Sequence, residues 1–323
     1  MRQANHGSAP TFYYAFLRKN VVSTGLPSGR VFHGTLALVT VLGPPLPLEG
    51  LRAQIRNGAA LPALSGQRYA ETHARYEAAS DQRPRLRSWL TTALPPLLAE
   101  CDPVRVVGVG VGDGSVDAGL AAALAAGGRR VHYTGVEPHP PSAAEFVRRL
   151  SGLDAPTLTP TVVIGDFAEH DVGHPADLVH FVHSLYYVAD LSQALDHGLR
   201  LVRPGGWLMA AIAPLQPLCA LTELLCPWAG LVPWFAEDVT ADLERRGLTT
   251  RSHTIVGHLD ARDALNDPLG RGEAVLDFLI GARSRALEPD ALELLFDYLR
   301  DISLPGRPGV LPHPVDVLLT HVP

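Results

Sequence analysis

The residues of this sequence that are best suited to chemistry are the alternating glycines Gly108, Gly110 and Gly112, which follow an apolar run starting at Val104. A glycine has no Cβ, so a tight turn of glycines can bring its backbone against a ligand. The β-branched run before them is typical of a buried parallel strand, and the small residues at 118–126 favour a helix after them. We therefore predict a strand, turn and helix that bind a nucleotide.

The spacing of the glycines indicates which nucleotide. A dinucleotide site needs G-x-G-x-x-G, with the third glycine at the helix start over a pyrophosphate. Counting from Gly108 or from Gly110, that third position falls on Asp113 or Ser115. The spacing thus disfavours an NAD-dependent dehydrogenase. It suits S-adenosylmethionine, a sulfonium without phosphate.

A cofactor of this kind needs an acidic residue at the end of the next strand to accept hydrogen bonds from the ribose hydroxyls. The run at 131–138 supplies Glu137. The alternative reading is an ordinary turn between strand and helix with a solvated glutamate, because a glycine motif alone has a high false-positive rate.

Polar and aromatic side chains also follow two later strand-like runs. Ligands collect at the carboxyl ends of strands in a doubly wound sheet, so Asp166 is predicted to accept from an adenine amino group or, alternatively, to cap the next helix. After the run at 176–182 come His183, Ser184, Tyr186 and Tyr187, where a reacting atom would lie. The alternative for His183 is a core histidine.

An aromatic stripe precedes the first strand. Tyr69, His73 and Tyr76 recur at helical spacing, which places them on one face of a helix. The stripe is either part of the core or faces a substrate. The helical pattern extends from 67 to 100, with Pro95 and Pro96 interrupting its second half.

Further elements are predicted from periodicity and from turn residues. Strands are expected from Val104 into the glycine turn and from Ala176 into the aromatic turn that begins at His183. Others are expected at 31–42, 131–137, 161–167, 207–213, 248–256 and 315–321. Helices are expected at 48–56, 142–150, 190–202, 236–247, 273–285 and 289–299. Strands that alternate with helices predict a mostly parallel sheet covered on both faces.

Composition limits the classes of function. The chain has 323 residues, 46% hydrophobic and 19% charged, as in globular proteins, and a net charge of -6. Nucleic acid is therefore an unfavourable partner. Three cysteines are too few for a disulfide framework. The N-terminus lacks the pattern of a signal peptide and no apolar run is long enough to span a bilayer, so we expect a cytoplasmic protein without membrane contact.

With these residues established, the chain resembles class I methyltransferases that use S-adenosylmethionine, and among them histamine N-methyltransferase. The resemblance runs from about residue 65 to the C-terminus. It is carried by residues 66–76, 136–138, 177–190, 237–243 and 275–279.

The resemblance implies a doubly wound, mostly parallel, seven-stranded Rossmann-like sheet with an N-terminal extension and a small insertion that covers the substrate. It assigns the cofactor to Gly108, Gly110, Gly112 and Glu137, and we add Asp166, Phe167 and Val182 as candidates. A substrate-binding glutamine of the family falls on His183, and a substrate-binding asparagine falls around His313. Its substrate-binding glutamate falls near Asp81 or Gln82. All three polar contacts to histamine are thus altered here.

These observations predict the organisation and activity of the chain. We expect an accessory arm at 1–64, a methyltransferase domain at 65–323 and covering segments at about 214–234 and 258–312. The expected reaction methylates a small, nitrogen-containing aromatic metabolite, imidazole- or indole-like, in specialised metabolism. Catalysis is assigned to His183, Tyr186 and Tyr187, and substrate binding to Tyr69, Tyr76, His183 and His313, with no metal.

Other outcomes remain open from the sequence. The nucleophile could be carbon or oxygen of a natural product, or the protein could bind the cofactor without catalysis. We expect a monomer, or a homodimer formed through the arm or through residues 214–234. That segment holds four prolines, two cysteines and two tryptophans with almost no charge, so it is expected to cover a pocket or contact another subunit.

Overall fold

The computed structural model describes residues 46–57, 61–64, 66–169, 174–226 and 233–323. The predicted strand at 31–42 lies outside these residues, as do most of the predicted arm at 1–64 and part of the predicted covering segment at 214–234. Among the described residues, none of the helices combines the length and apolar character needed to cross a bilayer. The described residues divide into two compact units.

The larger unit contains the described parts of 75–220, 231–260 and 311–323 and is built on a seven-stranded sheet. In chain order the strands are β1 (Val104–Val109), β2 (Val131–Glu137), β3 (Leu158–Ile164), β4 (Ala176–Val182), β5 (Val202–Ile212), β6 (Thr250–Ile255), β7 (His258–Asp260), β8 (Val310–Pro312) and β9 (Val315–His321). The order across the sheet is β3-β2-β1-β4-β5-β9-β6. The short β7 and β8 do not belong to this sheet.

The sheet is parallel except for β9, which pairs antiparallel with both β5 and β6. The chain winds outward from β1 to β3 and then returns to β4 on the other side of β1, so the strand order reverses between β1 and β4. Ligands of open α/β sheets bind at the carboxyl ends of the strands at such a reversal. This topology positions the site.

Helices cover both faces of the sheet. The helices of this unit are α3 (Gln82–Leu97), α4 (Asp117–Ala125), α5 (Pro140–Ser151), α6 (Leu191–Leu201) and α8 (Ala236–Arg245). Leu90 of α3, Leu120 of α4 and Phe146 of α5 belong to one apolar core. Leu195 of α6 and Val239 of α8 belong to a second. Two cores confirm the predicted doubly wound sheet.

Several element boundaries differ from the sequence prediction. The helix predicted at 273–285 ends at Ile280, because Gly281 follows in a left-handed conformation with a φ of +65°. Helix α3 continues through Pro95 and Pro96, because its Leu86, Leu90 and Leu94 are buried and this packing outweighs the hydrogen bonds that the prolines cannot donate. Strand β3 begins and ends three residues earlier than predicted. Strand β5 begins at Val202 rather than at the predicted residue 207, and its irregular pairing with β4 accommodates the Pro-Gly-Gly sequence at 204–206.

The smaller unit contains the described parts of 1–74, 221–230 and 261–310. Its helices are α1 (Leu46–Asn57), α9 (Arg262–Asn266), α10 (Glu273–Ile280) and α11 (Pro289–Asp301). Helix α1 packs on α11, and the guanidinium of Arg68 donates to the buried Asp277 of α10 at 2.8 Å. Helices α2 (Gly66–Ala78) and α7 (Pro217–Leu225) contribute residues to each unit.

Candidate cofactor and acceptor site

The predicted glycine turn lies at the carboxyl end of β1. Gly110 and Gly112 have φ angles of +67° and +56°, a left-handed conformation that glycine adopts without steric cost. The backbone N–H of Gly110 donates to the Val136 carbonyl at 2.8 Å, which ties the turn to β2. A Cβ at Gly110 would lie 2.5 Å from the Cβ of Ser184, so the ends of β1 and β4 are in close contact here.

The three predicted glycines serve different purposes. A Cβ at Gly108 would lie 2.6 Å from Val111 Cγ1 and 2.8 Å from His180 Nε2, so this glycine accommodates neighbouring side chains. At Gly112, apart from the glycine and its two chain neighbours, no atom of the described residues comes within 4 Å of the position of a Cβ. The turn therefore leaves space for a ligand at Gly112.

Glu137 ends β2 beside this turn and is only 1% exposed. Its Oε2 accepts from the Gly112 N–H at 2.8 Å and its Oε1 accepts from the His139 N–H at 2.9 Å. Burial raises the pKa of Glu137, and the two backbone hydrogen bonds lower it. A carboxylate offers about four lone-pair sites, so acceptor capacity remains for sugar hydroxyls. Gly112 and Glu137 together fit the predicted cofactor.

The remaining predicted cofactor residues surround the ends of β3 and β4. Asp166 accepts from the Ala168 N–H at 3.0 Å, so it caps the short 3₁₀ turn at Phe167–Glu169, as the alternative reading of Asp166 required. The Phe167 ring is buried and stacks on His197 with centroids 4.3 Å apart. Val182 is the last residue of β4. Phe167 therefore helps to anchor this edge of the site to the second core.

His183 follows β4 and has a φ of +53°, which is unusual for a residue other than glycine and is typical of functional sites. Its N–H donates to the Ala211 carbonyl at 2.9 Å. Its Nδ1 lies 3.3 Å from the Tyr186 hydroxyl, which accepts from the Ala213 N–H at 2.7 Å. Tyr187 contacts Tyr186 edge to face. Adjacent strands β4 and β5 thus fix this cluster.

His313 and Tyr76, both predicted substrate residues, contact each other in the larger unit. The Tyr76 hydroxyl lies 3.0 Å from His313 Nε2, and the Ser80 hydroxyl lies 2.7 Å from Nδ1. Gln82 Nε2 donates to the His313 carbonyl at 3.0 Å. Burial lowers the pKa of His313 to about 4 and raises the pKa of Tyr76, so both side chains are neutral at physiological pH.

The predicted aromatic stripe has two sets of partners. Tyr69 and His73 pack on Phe278 in the smaller unit, with ring centroids 5.5 Å and 5.1 Å from that of Phe278. Tyr76 instead contacts His313. Tyr69 and His73 are half-buried and belong to neither of the two apolar cores, and substrate binding by Tyr69 stays a prediction.

The sequence did not reveal two features beside the site. One is a buried hydrogen-bonded group formed by Asp117, Tyr133 and His180. The other is the role of Ser80 and Gln82 in holding the segment at His313. The only signal for the first was His180, which interrupts the apolar run at 178–182 of β4.

Comparison with known proteins adds to this geometry. Residues 107–208, which include the glycine turn and Glu137, match the family model described as a methyltransferase domain. This chain carries a methyltransferase domain. The match confirms the predicted class of enzyme, and S-adenosylmethionine is the methyl donor of this class of domain. No curated protein sequence matches the chain.

Several solved structures overlap with the methyltransferase domain and its surroundings. The YcgJ protein from Bacillus subtilis has 13% identity and a TM-score of 0.48, covering 72% of this chain and 97% of its own. The N-methyltransferase NodS from Bradyrhizobium japonicum, in complex with S-adenosylhomocysteine, has 15% identity and a TM-score of 0.45, covering 79% and 98%.

The magnesium protoporphyrin IX methyltransferase from Synechocystis, with S-adenosylhomocysteine bound, has 15% identity and a TM-score of 0.45, covering 84% of this chain and 93% of its own. The finer resemblance to histamine N-methyltransferase stays a prediction.

Proposed function

We propose that this methyltransferase acts on a small, uncharged aromatic metabolite with a nucleophilic nitrogen, imidazole- or indole-like, within specialised metabolism. The observation that carries the proposal is the cluster of aromatic and neutral hydrogen-bonding groups at the carboxyl ends of β4 and β5. His183 and Tyr186 belong to it, and burial raises the pKa of Tyr186 and of the nearby Cys219 thiol, so both stay neutral.

The methyl donor fits the turn at Gly112 and the Glu137 carboxylate. When bound, it supplies an electrophilic methyl group on a sulfonium, whose thioether leaves without an acid. Gly112 and Glu137 would hold the sugar end, and the ends of β4 and β5 would define the acceptor side. Positioning of this kind contributes on the order of 7–11 kcal/mol to catalysis.

His183 orients the acceptor or removes its proton. Because the Tyr186 hydroxyl already accepts from Ala213 N–H, its own hydrogen is available for His183 Nδ1. In that arrangement the neutral imidazole carries its hydrogen on Nε2 and donates to the acceptor. In the other tautomer, Nδ1–H donates to Tyr186 and Nε2 serves as a base.

The substrate proposal is tested by incubating the full chain with S-adenosylmethionine and imidazole, indole, phenol and catechol compounds, and measuring S-adenosylhomocysteine release. We expect product with imidazole- or indole-bearing acceptors and an N-methyl group in the mass and NMR spectra. Release only with phenols, or methylation at ring carbon, would replace this proposal with O- or C-methylation.

The cofactor assignment has its own test. Calorimetry should detect binding of S-adenosylhomocysteine and none of NADH. Binding of NADH alone would favour the dehydrogenase reading. Binding of S-adenosylhomocysteine with no turnover of any acceptor would favour a non-catalytic protein. Sedimentation of the full chain, compared with variants that lack residues 1–45, tests the proposed monomer or homodimer.

A further inference from the structure

Three buried polar side chains meet directly beneath the glycine turn, and the proposed reaction does not use them. Asp117 begins α4, Tyr133 lies on β2 and His180 lies on β4, with exposures of 4%, 0% and 3%. The Tyr133 hydroxyl lies 2.9 Å from Asp117 Oδ1 and 2.8 Å from His180 Nε2. His180 Nε2 is also 3.4 Å from Asp117 Oδ1.

This group has a specific proton requirement. Tyr133 has one hydroxyl hydrogen and two neighbours that can accept it. If the hydrogen goes to Asp117, the second bond requires a hydrogen on His180 Nε2. If it goes to His180, Asp117 must supply a hydrogen to the phenol oxygen. A protonated Asp117 permits both arrangements, whereas an ionised Asp117 permits only the first and leaves a buried charge.

The charge has little compensation in its surroundings. Burial raises the pKa of Asp117 to about 7, the hydrogen bonds from Tyr133 and from the Asp117 backbone N–H lower it, and the nearby Asp113 raises it. Arg83 of α3 acts in the opposite direction but weakly. Burial lowers the pKa of His180 to about 4, so the imidazole is neutral when Asp117 ionises.

The group is in contact with both ends of the glycine turn. His180 lies against Gly108, where a Cβ would be 2.8 Å from its ring, and Asp117 is the first residue of the helix that follows the turn. The N–H of Ala118 donates to the Gly114 carbonyl at 3.0 Å, which connects the turn to this helix. A change in the network therefore reaches Gly112 through the backbone.

We propose that Asp117, Tyr133 and His180 form a positioning network that holds the glycine turn in its cofactor-binding conformation while the Asp117 carboxyl is protonated. Loss of that proton to solvent charges the network, draws the first turn of α4 towards water and weakens cofactor binding. This inference rests on the proposed cofactor site. It adds positioning residues that do not touch the ligand.

The test uses the dissociation constant of S-adenosylhomocysteine, measured by calorimetry from pH 6.5 to 8.5 on the full chain. For the wild type we expect Kd to rise roughly tenfold over this range, since one proton is linked to binding. Asp117→Asn cannot ionise and keeps an acceptor for Tyr133, so its Kd should stay within about twofold over the same range.

Two further variants separate positioning from general effects. Asp102→Asn removes an exposed carboxylate that pairs with Arg130 at 3.2 Å outside the network, and should retain the wild-type pH dependence. Tyr133→Phe breaks both bonds of the network and should weaken binding at every pH. A second measurement, without ligand, is the unfolding free energy. As pH rises from 5 to 8, the unfolding free energy of Asp117→Asn should increase relative to that of the wild type.

These measurements distinguish failure of the network from failure of the cofactor site. An Asp117→Asn variant that loses affinity at alkaline pH as the wild type does would overturn the network while leaving the cofactor site intact, since binding itself is measured. If the wild type binds no S-adenosylhomocysteine at any pH, the proposed function fails and this inference fails with it. An unfolding difference that does not change with pH would also overturn it.

Discussion

At the scale of single residues, Glu137 decides the cofactor assignment. Glu137→Gln should raise the Kd of S-adenosylhomocysteine roughly ten- to hundredfold, because a hydrogen bond to a charged group contributes about 1.5–3 kcal/mol. The matched control is Glu145→Gln, which changes a carboxylate of α5 that pairs with Arg148. Unchanged affinity in Glu137→Gln, measured by calorimetry, would remove the methyl-donor assignment.

The same carboxylate predicts an acid limit to binding. Burial raises the pKa of Glu137, so it becomes neutral at a pH above the ordinary value of about 4.3. A protonated carboxyl is a poorer acceptor for sugar hydroxyls, and affinity should fall as pH decreases through this range. A binding profile from pH 4.5 to 6.5 that is flat in the wild type would contradict this prediction.

His183 offers a test that separates chemistry from folding. Its positive φ is tolerated by asparagine, so His183→Asn should keep the backbone while removing the imidazole. If His183 is a base, the single-turnover rate should fall by roughly 10²–10⁴-fold. If it only orients the acceptor, saturating substrate should largely restore the rate. Circular dichroism and unfolding curves check that the variant folds.

At the scale of elements, the glycine turn needs close packing at Gly110 and open space for a ligand at Gly112. Substitutions can separate these two requirements. Gly110→Ala introduces a Cβ 2.5 Å from that of Ser184 and should lower the unfolding free energy by more than the roughly 1–2 kcal/mol expected for a left-handed alanine. Gly112→Ala has the cost of a left-handed alanine without a clash, and its Cβ would occupy the space left for the ligand. Denaturant unfolding should therefore rank Gly110→Ala as less stable, and calorimetry should show lost affinity in Gly112→Ala.

At the scale of the whole molecule, buried groups with opposite pKa shifts have opposite effects on how the unfolding free energy depends on pH. His180 and His313 have pKa values of about 4, below their unfolded value, so the stability that they contribute is lost as pH falls from about 6.5 to 4. Asp117 has a pKa of about 7, above its unfolded value of about 3.9, so its contribution is lost as pH rises from about 4 to 7. Between pH 4 and 6.5 these effects cancel in part.

Substitution of Asp117 should reveal the contribution of the two histidines to the pH dependence of the unfolding free energy. Asp117→Asn should lose stability more steeply than the wild type on acidification from pH 6.5 to 4.5, because only the two histidines then contribute. The effect is on the order of 1–3 kcal/mol for each histidine. Urea unfolding at several pH values measures it, and equal slopes for the two proteins would show that Asp117 is ionised throughout.

The sequence predicted those parts of the molecule that local rules determine. Gly110, Gly112 and Glu137 could be found because each lies just after, or at the end of, an apolar run, and parallel strands bring such ends together. The Tyr133 network could not be found, since its members lie 16 and 47 residues from Tyr133 and meet only through strand register. Tyr69 and Tyr76 share a helix face, yet periodicity did not show that they have different partners.

The antiparallel strand β9 has a consequence for synthesis of the chain. It lies between β5 and β6, so neither of them has its neighbour on that side until residues 315–321 have left the ribosome. Until then, two strand edges with unpaired backbone groups are exposed, and such edges invite aggregation. Insertion of β9 therefore closes both edges in a single step, and the nascent chain exposes them until that step occurs.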